Sequence, residues 1–512
     1  SIQEEISLEQ LREQLGALAP EAETIDLNIV SSSKEQTCLF IVCAKGDADA
    51  VEDALKKLNF VKPPLSSLVP AKRQQQLEEE LSKVKAEIAG AEKAIADMAP
   101  DRDSIKFVMD YYIMRSEKYG VLNGLVQSRR VFLITGYVSV EAAPRLEKLL
   151  QDKYEVVIEF SEPEEKDDVP VVLRNNKFAE PVEGVIESYS LPGPGEIDPS
   201  MVACFYYVLF GLMLSDAAYG LIMIAGTAYC LTKFKNMEDG MRKFMKMFMY
   251  CGISTAFWGF MFGSFFGDAV NVIATTFFNR PDIRLAPIWF EPVSLPMKML
   301  VFAFLIGIIH LFTGLGIKFY TCVRNGSLKD GIYDAVFWYM LVGGGIVYLL
   351  TMSMFTDMLG LSFTLPAAAG TVAAVLAVIG LIGIVLTSGR ESRSWFKRIL
   401  KGLYGAYGVT SYLSDILSYS RLLALGLATS VISTVFNKMG SMVGGTIPGA
   451  IVFILVFLIG HSLNLAINAL GAYVHTNRLQ FVEFFGKFYE GGGRKFEPFA
   501  IHTKYYKVKE DI

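Results

Sequence analysis

Cysteine is scarce in this chain of 512 residues, and its six copies are widely scattered. They have neither the spacing of a metal site nor that of a disulfide framework, which indicates a reduced protein. The formal net charge is −5 and no strongly basic run occurs, which argues against nucleic acid as a partner. No G-x-x-x-x-G-K-[ST] stretch is present, so no P-loop for nucleotide is predicted. We therefore expect the chain to bind no cofactor and not to be an enzyme by itself.

Hydrophobic residues, by contrast, are abundant and unevenly distributed. They make up 52% of the sequence, and the mean hydropathy is +0.36. The apolar excess begins near residue 200, which divides the chain into a soluble half and a membrane half. We predict a cytoplasmic domain at 1–197, a transmembrane domain at 198–490 and a cytoplasmic C-terminal tail at 491–512.

The soluble half has the pattern of two small lobes. In the first, residues 24–30 and 37–43 have the composition of strands and precede a helix. The second lobe, 128–180, repeats the pattern with a strand at 130–138, a helix, and a strand at 154–160. These elements predict an α+β fold for the domain.

A heptad pattern lies between the lobes. The apolar residues that step by four and three are Leu77, Leu81, Val84, Ile88, Ala91, Ile95 and Met98. Pro100 ends this helix and a second helical stretch follows, so we predict an antiparallel coiled-coil hairpin at 71–127. The hairpin could be a rigid strut that holds a stalk or a generic spacer, and these residues alone leave both interpretations open.

We predict about eight membrane-spanning helices in the membrane half. Two short ones share 199–232, and the others are 247–268, 298–320, 333–354, 367–389, 411–437 and 448–486. Basic residues follow the second, fourth and sixth segments, for example Lys233, Arg324 and Arg390. By the positive-inside rule, both termini of this multi-pass membrane protein are expected in the cytoplasm.

Each of the last two spans carries an arginine. Arg421 lies about ten residues from the nearest polar break, which at about 1.5 Å per residue corresponds to a depth of about 15 Å. That is roughly the middle of a bilayer, where an arginine costs a few kcal/mol and indicates a functional site. The alternative is a structural arginine that pairs with Asp415 or a backbone carbonyl. Arg478 lies nearer the end of its span and could instead extend to the interface.

The last span also has a polar face. Steps of three and four place six residues on one side of the helix: His461, Asn464, Asn468, Gly471, His475 and Arg478. Such a face must contact protein or water rather than lipid. The preceding span has a weaker stripe that includes Ser418 and Arg421. Two antiparallel helices could bring both arginines to one level.

Several long motifs occur in one order along the chain. They are F-G-L-M-L-S-D-A-A-Y-G at 210–220, F-W-G-F-M-F-G-S-F-F-G-D at 257–268, H-L-F-T-G-L-G-I-K at 310–318, S-Y-S-R-L-L-A-L-G-L-A at 418–428 and R-L-Q-F-V-E-F-F-G-K-F-Y-E-G-G-G-R-K-F-E-P-F at 478–499. Together they resemble the membrane subunit a (subunit I) of rotary V-type and A/V-type ATPases, over nearly the whole chain. Because the family's soluble domain usually begins earlier, we expect a segment to precede residue 1.

The resemblance implies a function and a set of partners. Arg421 aligns with the family's essential arginine and Arg478 with its second arginine. The chain would be a stator that forms ion half-channels against a rotating ring of small proteolipid (c/K) subunits, with the translocated ion Na⁺ or H⁺. Its other partners would be membrane lipid, peripheral-stalk subunits of E/G type and a central-stalk subunit of c/d type. The resemblance also favours the strut interpretation of the hairpin.

Further polar residues near the arginines are candidates for the channel lining. They are Asp415, Ser418, Thr429, His461, Asn464, Asn468 and His475. Ordinary hydrogen bonding between helices explains several of them equally well. Thr429 and Asn468 offer neutral oxygens where proton-carrying members often place a carboxylate or histidine, which slightly favours sodium. Two other functions remain open: a secondary ion transporter with a coiled-coil regulatory domain, and a membrane anchor without an ion pathway.

Overall fold

The computed structural model describes residues 7–18, 25–32, 37–58, 60, 69–164, 168–193, 196–198, 203–358, 360, 363–390, 394–501 and 503–506. The predicted start of the first span, 199–202, and the end of the tail, 507–512, lie outside these residues. The chain divides into two compact units, one formed by Ser1–Ile134 with Ala500–Ile512 and the other by Thr135–Phe499. The sequence-based boundaries at 197 and 490 remain predictions.

The first unit contains a small α+β lobe. It consists of α1 (Leu8–Leu18), β1 (Ile25–Ser32), β2 (Thr37–Cys43) and α2 (Ala48–Lys57). The strands form an antiparallel pair in which Ile25 lies opposite Cys43. The apolar sides of the two helices cover this pair, and Leu11, Leu15 and Val51 are among the buried residues of the core.

Two long helices follow the first lobe, as predicted. Helix α3 (Pro70–Asp97) and helix α4 (Arg102–Asn123) are joined by a tight turn at Ala99–Asp101, where Pro100 interrupts the helical hydrogen bonding. However, the large apolar residues of the heptad seam in α3 are 48% to 67% exposed. The helices of the hairpin are therefore present, whereas a packed coiled-coil seam is not found among the described residues.

The end of the chain folds back onto helix α4. The carboxylate of Asp110, which is buried, accepts hydrogen bonds from the backbone amides of Lys504 (2.8 Å), Tyr505 (3.0 Å) and Tyr506 (2.9 Å). Burial alone would raise the pKa of Asp110, but these three amides outweigh it and hold the pKa below its ordinary value. Tyr506 also packs edge-on against Phe107. A short strand pair, β3 (Val126–Gln127) with β4 (Phe132–Leu133), follows α4.

The second unit begins with the rest of the predicted second lobe. It contains α5 (Ala143–Lys153), β5 (Pro170–Val171) and α6 (Glu183–Tyr189). Strand β5 pairs in parallel with β6 (Arg494–Lys495), which follows the last membrane helix. The predicted strand at 154–160 is wrong. Val157 is fully exposed there, and the described residues provide no neighbouring strand to pair with this stretch.

Helices make up most of the second unit. They are α7 (Ala203–Leu214), α8 (Ala217–Lys233), α9 (Asp239–Phe262), α10 (Ala269–Phe278), α11 (Pro296–Arg324), α12 (Leu328–Gly331), α13 (Gly344–Leu349), α14 (Ser353–Met358), α15 (Ala367–Thr387), α16 (Trp395–Tyr407), α17 (Val409–Ser418), α18 (Ser420–Ser441) and α19 (Ile447–Arg478). Two π-helical segments join α12 and α13.

Five helical segments of the described chain are long and apolar enough to cross a membrane. They are Pro296–Arg324, Leu328–Leu349, Ala367–Thr387, Trp395–Ser441 and Ile447–Lys487, and each overlaps one of the predicted spans. The three remaining predicted spans fall on α7, α8 and α9, which are shorter or more polar. The chain is thus a multi-pass helical membrane protein, and the total of eight spans remains a prediction.

The second half of helix α7 lies in the core of the membrane unit. Its residues Leu209, Phe210 and Leu212 are completely buried, so this half is enclosed on all sides, whereas Cys204 in the first turn is exposed. The chain breaks at Ser215 and Asp216, and the Asp216 carboxylate then caps α8 by accepting from the amides of Ala218 and Tyr219. The contact of α9 with α8 needs a glycine, because a Cβ at Gly259 would lie 2.0 Å from the Ala217 nitrogen.

Candidate functional site

Helices α18 and α19 form an antiparallel pair that carries the predicted site. Gly440 packs on Phe453 near one end of the pair, Gly460 packs on Phe436, and Gly471 lies beside Leu425 toward the other end. These small residues let the two backbones approach closely. The pairing brings the polar sides of both helices into the interior of the unit.

Arg421 begins α18, directly after the break between α17 and α18. Its Nη1 donates to Glu483 Oε1 at 3.1 Å, and its Nη2 donates to Ser418 Oγ at 3.2 Å. The arginine side chain is 22% exposed, whereas that of Glu483 is 2% exposed. The predicted arginine is therefore half-buried, and both of its terminal nitrogens are paired.

The partner of Arg421 lies in a π-helical segment, Leu479–Phe484, that continues α19. Steps of three and four from the exposed Arg478 reach Val482, which is 60% exposed as well. Glu483 belongs instead to the buried face, two helical turns after the buried Thr476 and one turn after the buried Gln480.

Several buried polar atoms near this pair have no hydrogen-bond partner among the described residues. They are His310 Nε2, both amide atoms of Gln480, and Glu483 Oε2, although the Gln480 amide lies close enough to the His310 ring to interact with it. The other ring nitrogen of His310 lies 2.7 Å from Tyr419 Oη, and its ring stacks on Phe484 at 4.2 Å. We call Arg421, Glu483, Ser418, Gln480 and His310 the arginine cluster. Buried polar groups usually have hydrogen-bond partners, so the arginine cluster is the less completely paired part of the interior among the described residues.

Asp415 does not pair with Arg421. Its carboxylate accepts from Lys487 Nζ, and this ammonium group lies 4.0 Å from the centre of the Tyr412 ring. The side chains of both charged residues are largely buried. Asp415 and Lys487 thus form a second ion pair that links α17 to the segment after α19.

A neutral network occupies the opposite part of the α18–α19 interface. Tyr219 Oη is central to it, with His461 Nδ1 at 2.6 Å, Asn464 Nδ2 at 2.9 Å and Ser433 Oγ at 3.2 Å. His461 Nε2 lies 2.9 Å from Asn437 Oδ1. We call the following six residues the tyrosine network: Tyr219, Ser433, Asn437, His461, Asn464 and Asn468.

The donors of the tyrosine network follow one direction. Asn437 Nδ2 donates to Asp268 Oδ1 at 2.9 Å, so the Asn437 oxygen is the acceptor for His461 Nε2–H. His461 Nδ1 then accepts from the Tyr219 hydroxyl, whose oxygen accepts in turn from Asn464. These assignments follow from the connectivity of the network. At Asn437 and Asn464 this series of hydrogen bonds passes through side-chain amide groups. Amides supply oxygen ligands but do not exchange protons readily.

The remaining predicted residues are less closely connected. Thr429 is buried, but its hydroxyl donates to the Leu425 carbonyl of its own helix, and only its carbonyl joins the network through Asn464. Arg478 is exposed and makes no ion pair within the described part of the chain. His475 is half-buried, with an unpartnered Nδ1. Both arginines are close enough to His475 to act on it electrostatically, whereas only Arg421 has a partner in an ion pair within the described residues.

Sequence analysis missed six residues of these clusters, and all of them contribute buried polar atoms: Glu483, Gln480, His310, Tyr219, Ser433 and Asn437. A glutamate within the apolar run F-V-E-F-F was a usable signal, since an acid inside a membrane segment is expensive and usually functional. Tyr219 carried no such signal, because tyrosine is common in membrane helices for other reasons.

Comparison with known proteins agrees with this architecture. The model of the V-type ATPase 116kDa subunit family matches residues 16–286 and 409–501. The A-type ATP synthase subunit I of Methanocaldococcus jannaschii is 29% identical over 96% of this chain and 75% of its own length. That of Pyrococcus horikoshii is 31% identical over 91% and 69%. The V-type ATP synthase subunit I of Chlamydia trachomatis is 25% identical over 72% and 62%.

The fold and the site define a multi-pass helical membrane protein whose interior holds a charged pair and an extended polar network. More particularly, the chain belongs to the V-type ATPase 116kDa subunit family. It is a non-catalytic membrane subunit of a V/A-type ATPase.

Proposed function

We propose that the chain is the stator membrane subunit of a rotary ATPase, and that Arg421 faces the ion-binding carboxylates of a rotating ring of small proteolipid subunits. In this position it couples ATP hydrolysis, or synthesis, to the transport of Na⁺ or H⁺. The observation that carries the proposal is the ion pair of Arg421 with the buried Glu483 inside a membrane segment, in which the arginine side chain stays 22% exposed.

The chemistry of the guanidinium suits this role. It stays charged at any relevant pH, so it attracts an anionic ring site without relaying a proton itself. Two unit charges about 4 Å apart attract by about 4 kcal/mol at an effective dielectric near 20. This attraction favours ion release from a ring carboxylate as it passes, and the fixed charge separates the entry pathway from the exit pathway.

Glu483 sets the strength of that attraction. It already neutralises part of the Arg421 charge at 3.1 Å, so a ring carboxylate shares the guanidinium with it. The shared pairing keeps a passing carboxylate from being held too firmly. The unpartnered Glu483 Oε2, with Gln480 and His310 beside it, supports a water-filled or ion-accessible pathway on this side.

The tyrosine network supports the other pathway. Its members Asn464, Asn468 and His461 are candidates for the lining of one half-channel, while Asp415, Ser418 and His475 belong to the side of Arg421. The network is neutral and passes through side-chain amide groups. It therefore suits the passage of a cation, which exchanges one oxygen ligand for another, better than it suits a proton relay. We therefore favour Na⁺ as the transported ion. Arg478, exposed and unpaired in the described chain, is the proposed second arginine of the pathway.

The rest of the chain fits a stationary part of such a machine. The helices α3 and α4 form an arm suited to hold the peripheral-stalk subunits of E/G type. A central-stalk subunit of c/d type is the other proposed partner, and both termini are placed in the cytoplasm by the positive-inside rule. The chain itself binds no cofactor in this proposal.

Replacement of Arg421 by alanine tests the function directly. In the assembled complex, Arg421→Ala should abolish ATP-driven ion transport into vesicles, while the complex still assembles. The matched control is Arg398→Ala, an exposed arginine on α16 that donates to the Leu386 carbonyl. Unchanged transport in the Arg421 variant would leave only the anchor interpretation.

The choice of ion has its own test. If Na⁺ is carried, sodium should stimulate ATP hydrolysis by the assembled complex at alkaline pH. Acidification of vesicles without any response to sodium would assign the pathway to protons instead.

A further inference from the structure

A basic cavity lies at the end of the membrane unit where α8 leads into α9. It has a volume of about 370 Å³, which is in the range of small ligand pockets. Seven residues line it: Lys177, Leu231, Lys235, Arg242, Lys246, Met249 and Tyr250. Four of the seven are cations, and the other three provide an apolar or aromatic surface.

Nearby acids neutralise this charge only in part. Lys246 Nζ lies 3.7 Å from Glu180, and Arg242 lies 3.9 Å from Asp239, both near the upper limit for an ion pair. Lys177 and Lys235 make no ion pair in the part of the chain that the structure describes. The cavity therefore keeps a net positive charge.

The cationic side chains are held in place by the fold. Next to Lys177, the ring of Phe178 packs against Tyr207 at 5.1 Å and Tyr250 at 5.5 Å. The hydroxyl of Tyr207 also donates to the Phe178 carbonyl at 2.9 Å. On the other side of the cavity, Arg242 Nη2 donates to the Lys235 carbonyl at 2.7 Å. These contacts fix the two backbone segments that carry the exposed lysines.

The position of the cavity suggests what it binds. Lys246 directly precedes the predicted span 247–268, whereas Met249 and Tyr250 lie in the first turn of that span. The cavity thus crosses the boundary between a polar surface and an apolar one. A ligand that fits has a phosphate group to meet the cations and an alkyl chain to cover the apolar residues, which is the chemistry of an anionic phospholipid.

We propose that this cavity is a binding site for the phosphate headgroup of an anionic phospholipid. The site is independent of the ion pathway, so it stands whether or not Arg421 faces a rotor. Its role would be to seat the α8–α9 turn against the leaflet that carries the anionic lipids.

The test compares lipids bound to the purified full chain in detergent, counted by native mass spectrometry. We expect phosphatidylglycerol to bind in preference to phosphatidylcholine. The double variant Lys177→Gln/Lys235→Gln should weaken phosphatidylglycerol binding about tenfold or more. Since both lysines are exposed, the variant should fold normally, and Lys177→Arg/Lys235→Arg should retain binding.

The matched control is Lys397→Gln/Lys401→Gln, which removes the same charge from two exposed positions of α16 beside another membrane span. This control should bind phosphatidylglycerol as the parent chain does. Equal weakening in both double variants, or equal binding of the two lipids, would overturn the proposal. Retention of inorganic phosphate by the parent chain together with equal binding of the two lipids would assign the site to the free anion and would also overturn the proposal.

Discussion

The two polar clusters of the membrane unit differ in charge and in completeness. The tyrosine network is neutral, and Tyr219, His461 and Asn464 each find partners for their polar atoms. The arginine cluster carries a full charge pair and leaves Glu483 Oε2 without a partner among the described residues. We therefore expect substitutions in the tyrosine network to act through lost hydrogen bonds, and substitutions in the arginine cluster to act through an uncompensated charge.

Removal of the Glu483 charge should produce the largest effect. Glu483→Gln leaves the Arg421 guanidinium without its counter-charge in a half-buried position. We expect the free energy of unfolding of the purified chain to fall by about 3 kcal/mol. This value is at the lower end of the usual cost of breaking a buried ion pair, because Arg421 is partly exposed. Thermal unfolding in detergent measures this loss.

The control for this variant is an exposed pair of the same unit. Glu187 lies 3.0 Å from Lys495 with both side chains well exposed, so Glu187→Gln should cost less than about 1 kcal/mol. If the two variants were equally stable, Glu483 would not be the partner of Arg421 in the folded chain.

The tyrosine network should respond differently, through lost hydrogen bonds rather than charge. Tyr219→Phe removes a hydroxyl that has three partners, and these groups become unpaired in a buried position. We expect a cost of about 2 kcal/mol. Tyr206→Phe is the control, because this equally buried tyrosine donates only to Asn477, and it should cost about 1 kcal/mol. A smaller effect at Tyr219 than at Tyr206 would mean that water fills the network.

The sequence predicted the tyrosine network better than the arginine cluster, for a physical reason. His461, Asn464 and Asn468 follow the regular helical repeat, and all three are buried as their spacing predicts. Glu483 lies two helical turns after the buried Thr476, but the predicted polar face was continued through Arg478, from which the repeat points to the exposed Val482. Which face of the last turns is buried depends on packing against other helices, and the polar pattern alone does not encode it.

The same contrast applies to the larger elements. The five long apolar spans follow from composition, because a membrane span must be apolar over its length. The helices α3 and α4 follow from the heptads and from Pro100. The apolar seam of α3 is buried only if another apolar surface packs on it. Its exposed residues show that heptad periodicity alone does not provide that surface. Likewise, the strand expected at 154–160 lacked a neighbour to pair with.

Outside the membrane, Asp110 extends the comparison to a fully satisfied carboxylate. Both of its oxygens accept backbone amides from residues 504–506, whereas Glu483 keeps one oxygen open. Because its pKa lies below the ordinary value of 3.8, its docking contribution is complete above that pH and is lost as the pH falls through the lowered pKa. The chain end should therefore stay docked at neutral pH and detach only in strong acid.

Asp110→Asn should have the smallest of these effects: it should release the chain end at neutral pH without unfolding α4. An amide side chain offers one acceptor oxygen in place of two, so the amides of Lys504, Tyr505 and Tyr506 should exchange hydrogen faster. Asp103→Asn is the control, because the Asp103 carboxylate is highly exposed and makes only a long ion pair of 3.6 Å with Lys106. Equal protection in both variants would show that the aromatic contact of Tyr506 with Phe107, rather than the carboxylate, holds the chain end.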